Sequence, residues 1–296
     1  MCDCLVALPA ATAGGATLFW KNSDRPTGEA QDLVWLPPRN NTDPLVCTHI
    51  AITPHAEDTL GVMASQPTWM WGVEVGVNEA KVAIGNERIF TTLDPRGYPP
   101  ALTGMDLVRL GLERAATAEA ATEVIIDLIE RYGQGGTGLA ISDSPYWSSF
   151  LIADPAAAWV LETSGRSWAT ERVDTTRSIS NRTTIASFDA GHRHPRQPVE
   201  LTVDPRLAAS NHVITRLPLT PDDLRNHARS HLGADGYTIC MHVDETTTPD
   251  RLHHQATTAA MVAELPVDRD ATVWFAAGSP CRHTFHPHRV GPLATS

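Results

Sequence analysis

The chain has no apolar run approaching the roughly 18 residues that a membrane span needs, and no basic segment precedes an apolar stretch at its N-terminus. Neither an integral membrane protein nor an exported one is expected. Cys-x-x-Cys and His-Glu-x-x-His are both absent. The five cysteines, Cys2, Cys4, Cys47, Cys240 and Cys281, form an odd and widely scattered set, which reads as reduced and cytoplasmic. The grouped histidines (His192 and His194, His253 and His254, and His283, His286 and His288) fall in loop-like or Pro-rich stretches, so no metal and no other cofactor is expected. Basic clusters are missing as well. With a net charge of -11 and a pI near 5.6, nucleic acid is excluded as the main partner. Internal repeats, low-complexity tracts and a steady βαβ alternation are also lacking.

What is present is enough for a substantial core: 296 residues, 42% of them hydrophobic. Strand signals at 3–9 and 16–20 flank a turn-like TAGG at 12–15 and read as a hairpin with Cys2 at its open end. Further strands are expected at 33–36, 46–52, 60–65, 72–76 and 81–85. Thr103 is placed to cap a helix over GMDLVRLGLERA, and a second helix over 118–132 stops at Gly133. The two should fold back on each other. Strands follow at 148–154, 157–163, 166–173 and 177–180. Residues 186–222 show no clean period and read as an irregular excursion, with a short helix near 221–231. Strands return at 257–264 and 271–277. The order is β-rich, two helices, β-rich, which implies an α+β fold with antiparallel sheets and a helical layer. A single domain over 2–296 is expected.

The chemistry starts at residue 2. Removing Met1 would leave a cysteine carrying both a thiol and a free α-amine, so nucleophile and base can reside in one residue. The amine titrates near ~7.7–8 and the thiol near ~8.5, close enough for proton exchange between them. The hairpin returns Lys21-Asn22-Ser23-Asp24-Arg25 toward Cys2. Lys21 or Arg25 there would favour the thiolate, and Asp24 could hold an α-ammonium. The same five residues also read as an ordinary polar turn. Asn86 and Asn181 each end an expected strand. A side-chain amide in such a place can donate to an oxyanion or simply terminate the strand. Trp71, with the other tryptophans, could line a pocket or belong to the core.

Taken in order, CDCLVALPAAT, WKNSDRP, GNE, GMDLVRLGLERA, YGQGG, FLIAD…AWVLET and ISN resemble the secernins within the C69 dipeptidase family, and TTAAMVAELP and SPCRHTF extend the likeness toward the C-terminus. The resemblance implies an N-terminal nucleophile hydrolase with a four-layer αββα sandwich, cleaving dipeptides or other amides through an acyl-enzyme on Cys2. Related cysteine amidases of the bile-salt hydrolase and penicillin acylase type carry a basic residue and, three positions later, an Asp. Lys21 and Asp24 match that pair, with Lys replacing Arg. Their oxyanion Asn matches Asn86 and a second Asn matches Asn181. Their late arginine has no evident match, and the chain is shorter than the animal secernins after about 185. The resulting expectation is a dipeptidase with Cys2, Asp24, Asn86 and Asn181 catalytic, and with Lys21, Arg25 and Trp71 binding a small peptide or acyl-amide. Neither a nucleic acid nor a membrane partner is expected, while a homo-oligomer is compatible with the reading. The alternatives are an acylase of non-peptide amides and a non-hydrolytic secernin-like binding protein.

Overall fold

The structure, a computed structural model, describes residues 1–40, 43–195, 202–243 and 254–293. The strands are β1 (Cys2–Ala7), β2 (Thr17–Pro26), β3 (Gln31–Leu36), β4 (Leu45–Val46), β5 (Ala51–Ile52), β6 (Val62–Pro67), β7 (Val75–Asn78), β8 (Ala83–Ile89), β9 (Trp147–Ala153), β10 (Ala158–Ser164), β11 (Ser167–Arg172), β12 (Thr176–Ile179), β13 (Gly233–Ala234), β14 (Tyr237–Thr238), β15 (His242–Val243), β16 (Gln255–Leu265), β17 (Thr272–Ala276) and β18 (His286–Arg289). The helices are α1 (Gly104–Arg114), α2 (Ala118–Tyr132), α3 (Ala186–His192), α4 (Asp204–Val213) and α5 (Pro221–Ala228).

Two antiparallel seven-stranded sheets face each other. The first runs β12-β1-β2-β16-β17-β18, with β15 added beside β16; the second runs β11-β10-β9-β8-β7-β6-β3. Period-two alternation assigns the faces. In β1 and β2, Cys4, Val6 and Phe19 point to the core between the sheets, together with Met63, Val77, Leu151 and Met261. Leu5, Ala7, Leu18 and Trp20 point the other way, under Leu224 and Ala228 of α5. On the second sheet, Ile84, Phe150 and Ile152 pack beneath Leu107, Leu110, Ile125 and Ile129 of α1 and α2. Three apolar layers between four structural layers give the αββα sandwich of N-terminal nucleophile hydrolases.

The helix signals correspond to local chemistry. Thr103 and Asp106 form a reciprocal capping box at the start of α1. Gly133 ends α2 with φ 78°, a conformation that glycine adopts without steric penalty. Two expectations need correction. Residues 21–25 are not a loop after a strand: they continue β2 to Pro26 and are buried throughout. The stretch 186–222 is not irregular throughout, because 186–192 and 204–213 are helical; residues 196–201 lie outside the described ones. The hydrophobic period of α4 is weak because polar Arg206 and Ser210 occupy its buried face. Among the described residues, no helix is long and apolar enough to cross a membrane.

Candidate active site

Cys2 lies in the inner position of its sheet, paired with Ser23 of β2. Its backbone N–H donates to Asn181 Oδ1 at 2.9 Å, and the Asp24 N–H approaches its Sγ at 3.4 Å. Met1 is still attached. Its ammonium donates to the Asp24 carbonyl at 3.2 Å and to Gln255 Oε1 at 2.8 Å, and the residue lies in the mouth of a narrow cleft that Cys2, Asp24, Arg25, Glu74, Asn86, Arg88, Leu139 and Tyr146 also line. In this state burial pushes the Cys2 thiol up to about 12, although Lys21 and the amino terminus pull the other way.

Below the cleft is a buried network of charges. The Lys21 side chain crosses Gly85, where an added Cβ would lie 2.9 Å from Cys4 Sγ and 3.0 Å from Lys21 Cδ. Its ammonium reaches Glu74 Oε2 at 2.9 Å, the Glu74 carbonyl at 3.1 Å and the Asn86 carbonyl. Arg25 donates to Glu74 at 2.7 Å, to Glu29 through both Nε and Nη2, and to the Gly138 carbonyl at 2.7 Å. Burial would raise the Glu74 carboxyl, but Lys21 and Arg25 outweigh it and bring the pKa to about 2. The two cations expected to bind substrate are therefore occupied by protein groups. They fix the floor of the cleft.

Asn86 does not end its strand as expected: β8 continues to Ile89, and Asn86 sits at its middle, paired with Phe150 and lining the cleft. Lys21 Nζ lies 3.4 Å from its Oδ1, while its Nδ2 faces Met105 Sδ at 3.5 Å, a weak acceptor. The amide is buried between Lys21 and Met105. Asn181 is disposed differently. Its Oδ1 receives both the Cys2 N–H and Arg206 Nη2, the latter at 2.8 Å, and its Nδ2 donates to the Arg88 carbonyl at 2.8 Å.

On the outer face of the first sheet, Asp24 Oδ1 accepts from Thr257 Oγ1 at 2.6 Å. Its Oδ2 lies 3.8 Å from Arg206, which also pairs with Asp3 at 2.5 Å. Burial raises the Asp24 carboxyl to about 7, against the pull of the amino terminus and Arg206. A bulge in β16 between Thr257 and Ala259 sets Thr257 opposite Asp24. Arg206 is wholly buried and also reaches the Cys2 carbonyl at 3.4 Å. Sequence reasoning missed it. No local signal marked it, because 186–222 shows no clean period and its partners Asp3 and Asp24 are some 180 or more residues away in the chain. Trp71 is the one expected site residue that lies elsewhere. It packs against the α1–α2 core with the Arg109 guanidinium 4.0 Å above its ring, because apolar contact and cation–π stacking are both satisfied there.

Among the solved structures that this chain is similar to are two crystal structures of conjugated bile acid hydrolase from Clostridium perfringens. A cysteine-to-alanine mutant matches with a TM-score of 0.52 and 11% identity over 100% of this chain and 99% of that one. An arginine-to-leucine variant matches with a TM-score of 0.56 and 12% identity over 99% of each. At such identities the likeness speaks for the fold. The family model of peptidase family C69 matches residues 47–197, slightly over half of the sequence. The chain belongs to peptidase family C69, whose members hydrolyse amide bonds.

Proposed function

We propose that the protein is a dipeptidase in which Cys2, freed of Met1, is the nucleophile. The observation that carries this reading is the setting of residue 2: a thiol in a cleft that Asn86 also lines, with its own nitrogen held by Asn181. While Met1 is attached, that nitrogen is an amide and cannot act as a base. Once Met1 is gone, it becomes an amine on the same residue as the thiol. The Cys2 sulfur then attacks the scissile carbonyl carbon, and its proton passes to the amine. The carbonyl π electrons move onto oxygen, where Asn86 Nδ2 stabilises the oxyanion. Collapse of the tetrahedral species expels the substrate amine, which takes the proton from the Cys2 ammonium and leaves a thioester. Water, deprotonated by the same amine, attacks the thioester, releases the acid and restores the thiol. Asn181 and Arg206 act through position: they hold the Cys2 nitrogen and the first strand in place. Asp24 sets the charge near that nitrogen.

The preference for a peptide over an acyl chain comes from the neighbouring cavity. It adjoins the Cys2 cleft at Arg88 and has a mixed lining, in which Ile89, Phe90, Pro95 and Pro145 stand beside Asp94, Arg96 and Asp143. The charges of both signs suit the two ends of a zwitterionic dipeptide, and the apolar part of the wall suits its side chains. Arg88, which lines both the cleft and this cavity, would hold the peptide carboxylate. A panel of dipeptides, their C-terminal amides and N-acyl amides tests the reading. Free dipeptides should be turned over fastest, and Arg88→Ala should raise KM for them without raising it for the amides. Faster turnover of the N-acyl amides would favour the acylase reading, and no turnover by protein lacking Met1 would favour a non-hydrolytic binding role.

A further inference from the structure

Away from the cleft, His231, Cys240, His242 and Cys281 converge so that one ligand atom from each lies within 4.8 Å of the others. His231 follows α5, Cys240 lies in the bend just before β15, His242 begins β15, and Cys281 sits in the turn after β17. His242 Nε2 lies 3.5 Å from Cys240 Sγ and 3.3 Å from Cys281 Sγ. One imidazole N–H can point at only one sulfur. A nitrogen nearly equidistant from two thiols is better explained by a shared centre. Zinc bonds of about 2.3 Å to sulfur and about 2.0–2.1 Å to nitrogen put tetrahedral neighbours about 3.6 Å apart for a sulfur–nitrogen edge. Both observed separations fall close to that edge.

We propose that these four side chains form a closed, tetrahedral structural zinc site. Two thiolates and two imidazoles are the donor set that selects zinc over hard cations, and four protein ligands leave no open position for catalysis. Zinc binding would release the two thiol protons and draw the neutral imidazole nitrogens onto the metal. The site would pin the 230–242 segment to the 278–282 turn. Those two segments already grip Thr257 from both sides: the Met241 N–H donates to Thr257 Oγ1 at 2.8 Å, and Ser279 Oγ donates to the Thr257 carbonyl at 2.9 Å. Thr257 in turn holds Asp24. The metal thus supports the outer face of the active site from one strand away.

Untagged full-length protein, grown with added zinc and purified under reducing conditions without chelator, provides the test. Elemental analysis should find about one zinc per chain, and X-ray absorption should show two sulfur and two nitrogen ligands at about 2.3 and 2.0–2.1 Å. The double variant Cys240→Ser/Cys281→Ser should lose the zinc, whereas Cys47→Ser, altered in the α1–α2 core, should keep it. If the double variant does not fold, the wild-type absorption spectrum decides alone. Zinc well below one equivalent in folded wild-type protein, coordination without sulfur, or a Cys240–Cys281 disulfide in the freshly purified metal-free chain would each overturn the proposal.

Discussion

Replacing Glu74 with Gln removes the anion that lies between Lys21 and Arg25 while preserving the volume of the side chain. Both cations and the carboxylate are almost entirely shielded from water. The carboxyl falls from 4.5 to about 2 in the folded protein, and at 1.36 kcal/mol per unit this corresponds to about 3 kcal/mol of stability. The value agrees with the roughly 3–5 kcal/mol lost when one member of a buried ion pair is removed. Because the folded pKa is depressed, this contribution is present above pH 4.5 and disappears as the pH falls through about 2. Urea unfolding at pH 7 should therefore place Glu74→Gln about 3 kcal/mol below wild type, and the gap should close toward pH 2. Activity should fall as well, since Lys21 would no longer be fixed between Glu74 and Asn86. A variant within about 0.5 kcal/mol of wild type at pH 7, the range of an ordinary surface change, would show that the network does not hold the floor of the cleft.

Asn86→Ala should lower kcat by about 10²–10³ with little change in KM, as expected when a donor acts mainly in the transition state; steady-state kinetics on a dipeptide checks this, and an unchanged kcat would leave backbone groups alone to hold the oxyanion. Asn181→Ala should lower kcat and move the pH–rate profile, because the Cys2 amine loses the acceptor seen at its nitrogen; a lower kcat with an unmoved profile would point to a structural role alone. Glu87 is buried beside the Cys4 thiol, and burial raises its carboxyl to about 8 against the pull of Lys21. Its folded pKa lies above the unfolded one, so wild-type stability should decline as the pH rises from 4.5 toward 8, and Glu87→Gln should flatten that decline in denaturant titrations. Arg206→Met should destabilise the fold by about 3–5 kcal/mol by leaving Asp3 and Asp24 without their cation, with a smaller loss at low pH, where both carboxyls are protonated.

Much of the architecture is written in local signals. Thr103, Gly133 and the period-two runs of β1, β9 and β10 place their elements within a few residues of the observed ends. The hairpin that brings Lys21, Asp24 and Arg25 to Cys2 was legible for the same reason, because strand pairing across a short connection is a local matter. Charge misled the reading of residues 21–25. A run of Lys, Asp and Arg suggests solvent, yet here each charge meets a buried partner from a distant segment: Glu74 for Lys21 and Arg25, and Arg206 for Asp24. Such long-range pairing leaves no period in the sequence. Arg206 and the His231–Cys281 cluster stayed hidden on the same ground, since their members are brought together only by the packing of α4 and α5 on the first sheet and by the turn after β17. Trp71 was misplaced because an aromatic beside a strand end is compatible with either a pocket or a core, and only the position of Arg109 distinguishes them.

The central claim is that Cys2 becomes the first residue and carries the acyl group. The most direct measurement is intact-mass spectrometry of the purified protein before and after brief exposure to a slowly hydrolysed acyl substrate, followed by peptide mapping of the adduct. The account predicts a chain one methionine lighter than the encoded sequence, which gains one acyl group on the peptide beginning at Cys2 and loses both adduct and turnover in Cys2→Ala. An active protein that retains Met1, or an adduct on Cys4, Cys47, Cys240 or Cys281 with Cys2 unmodified, would contradict it.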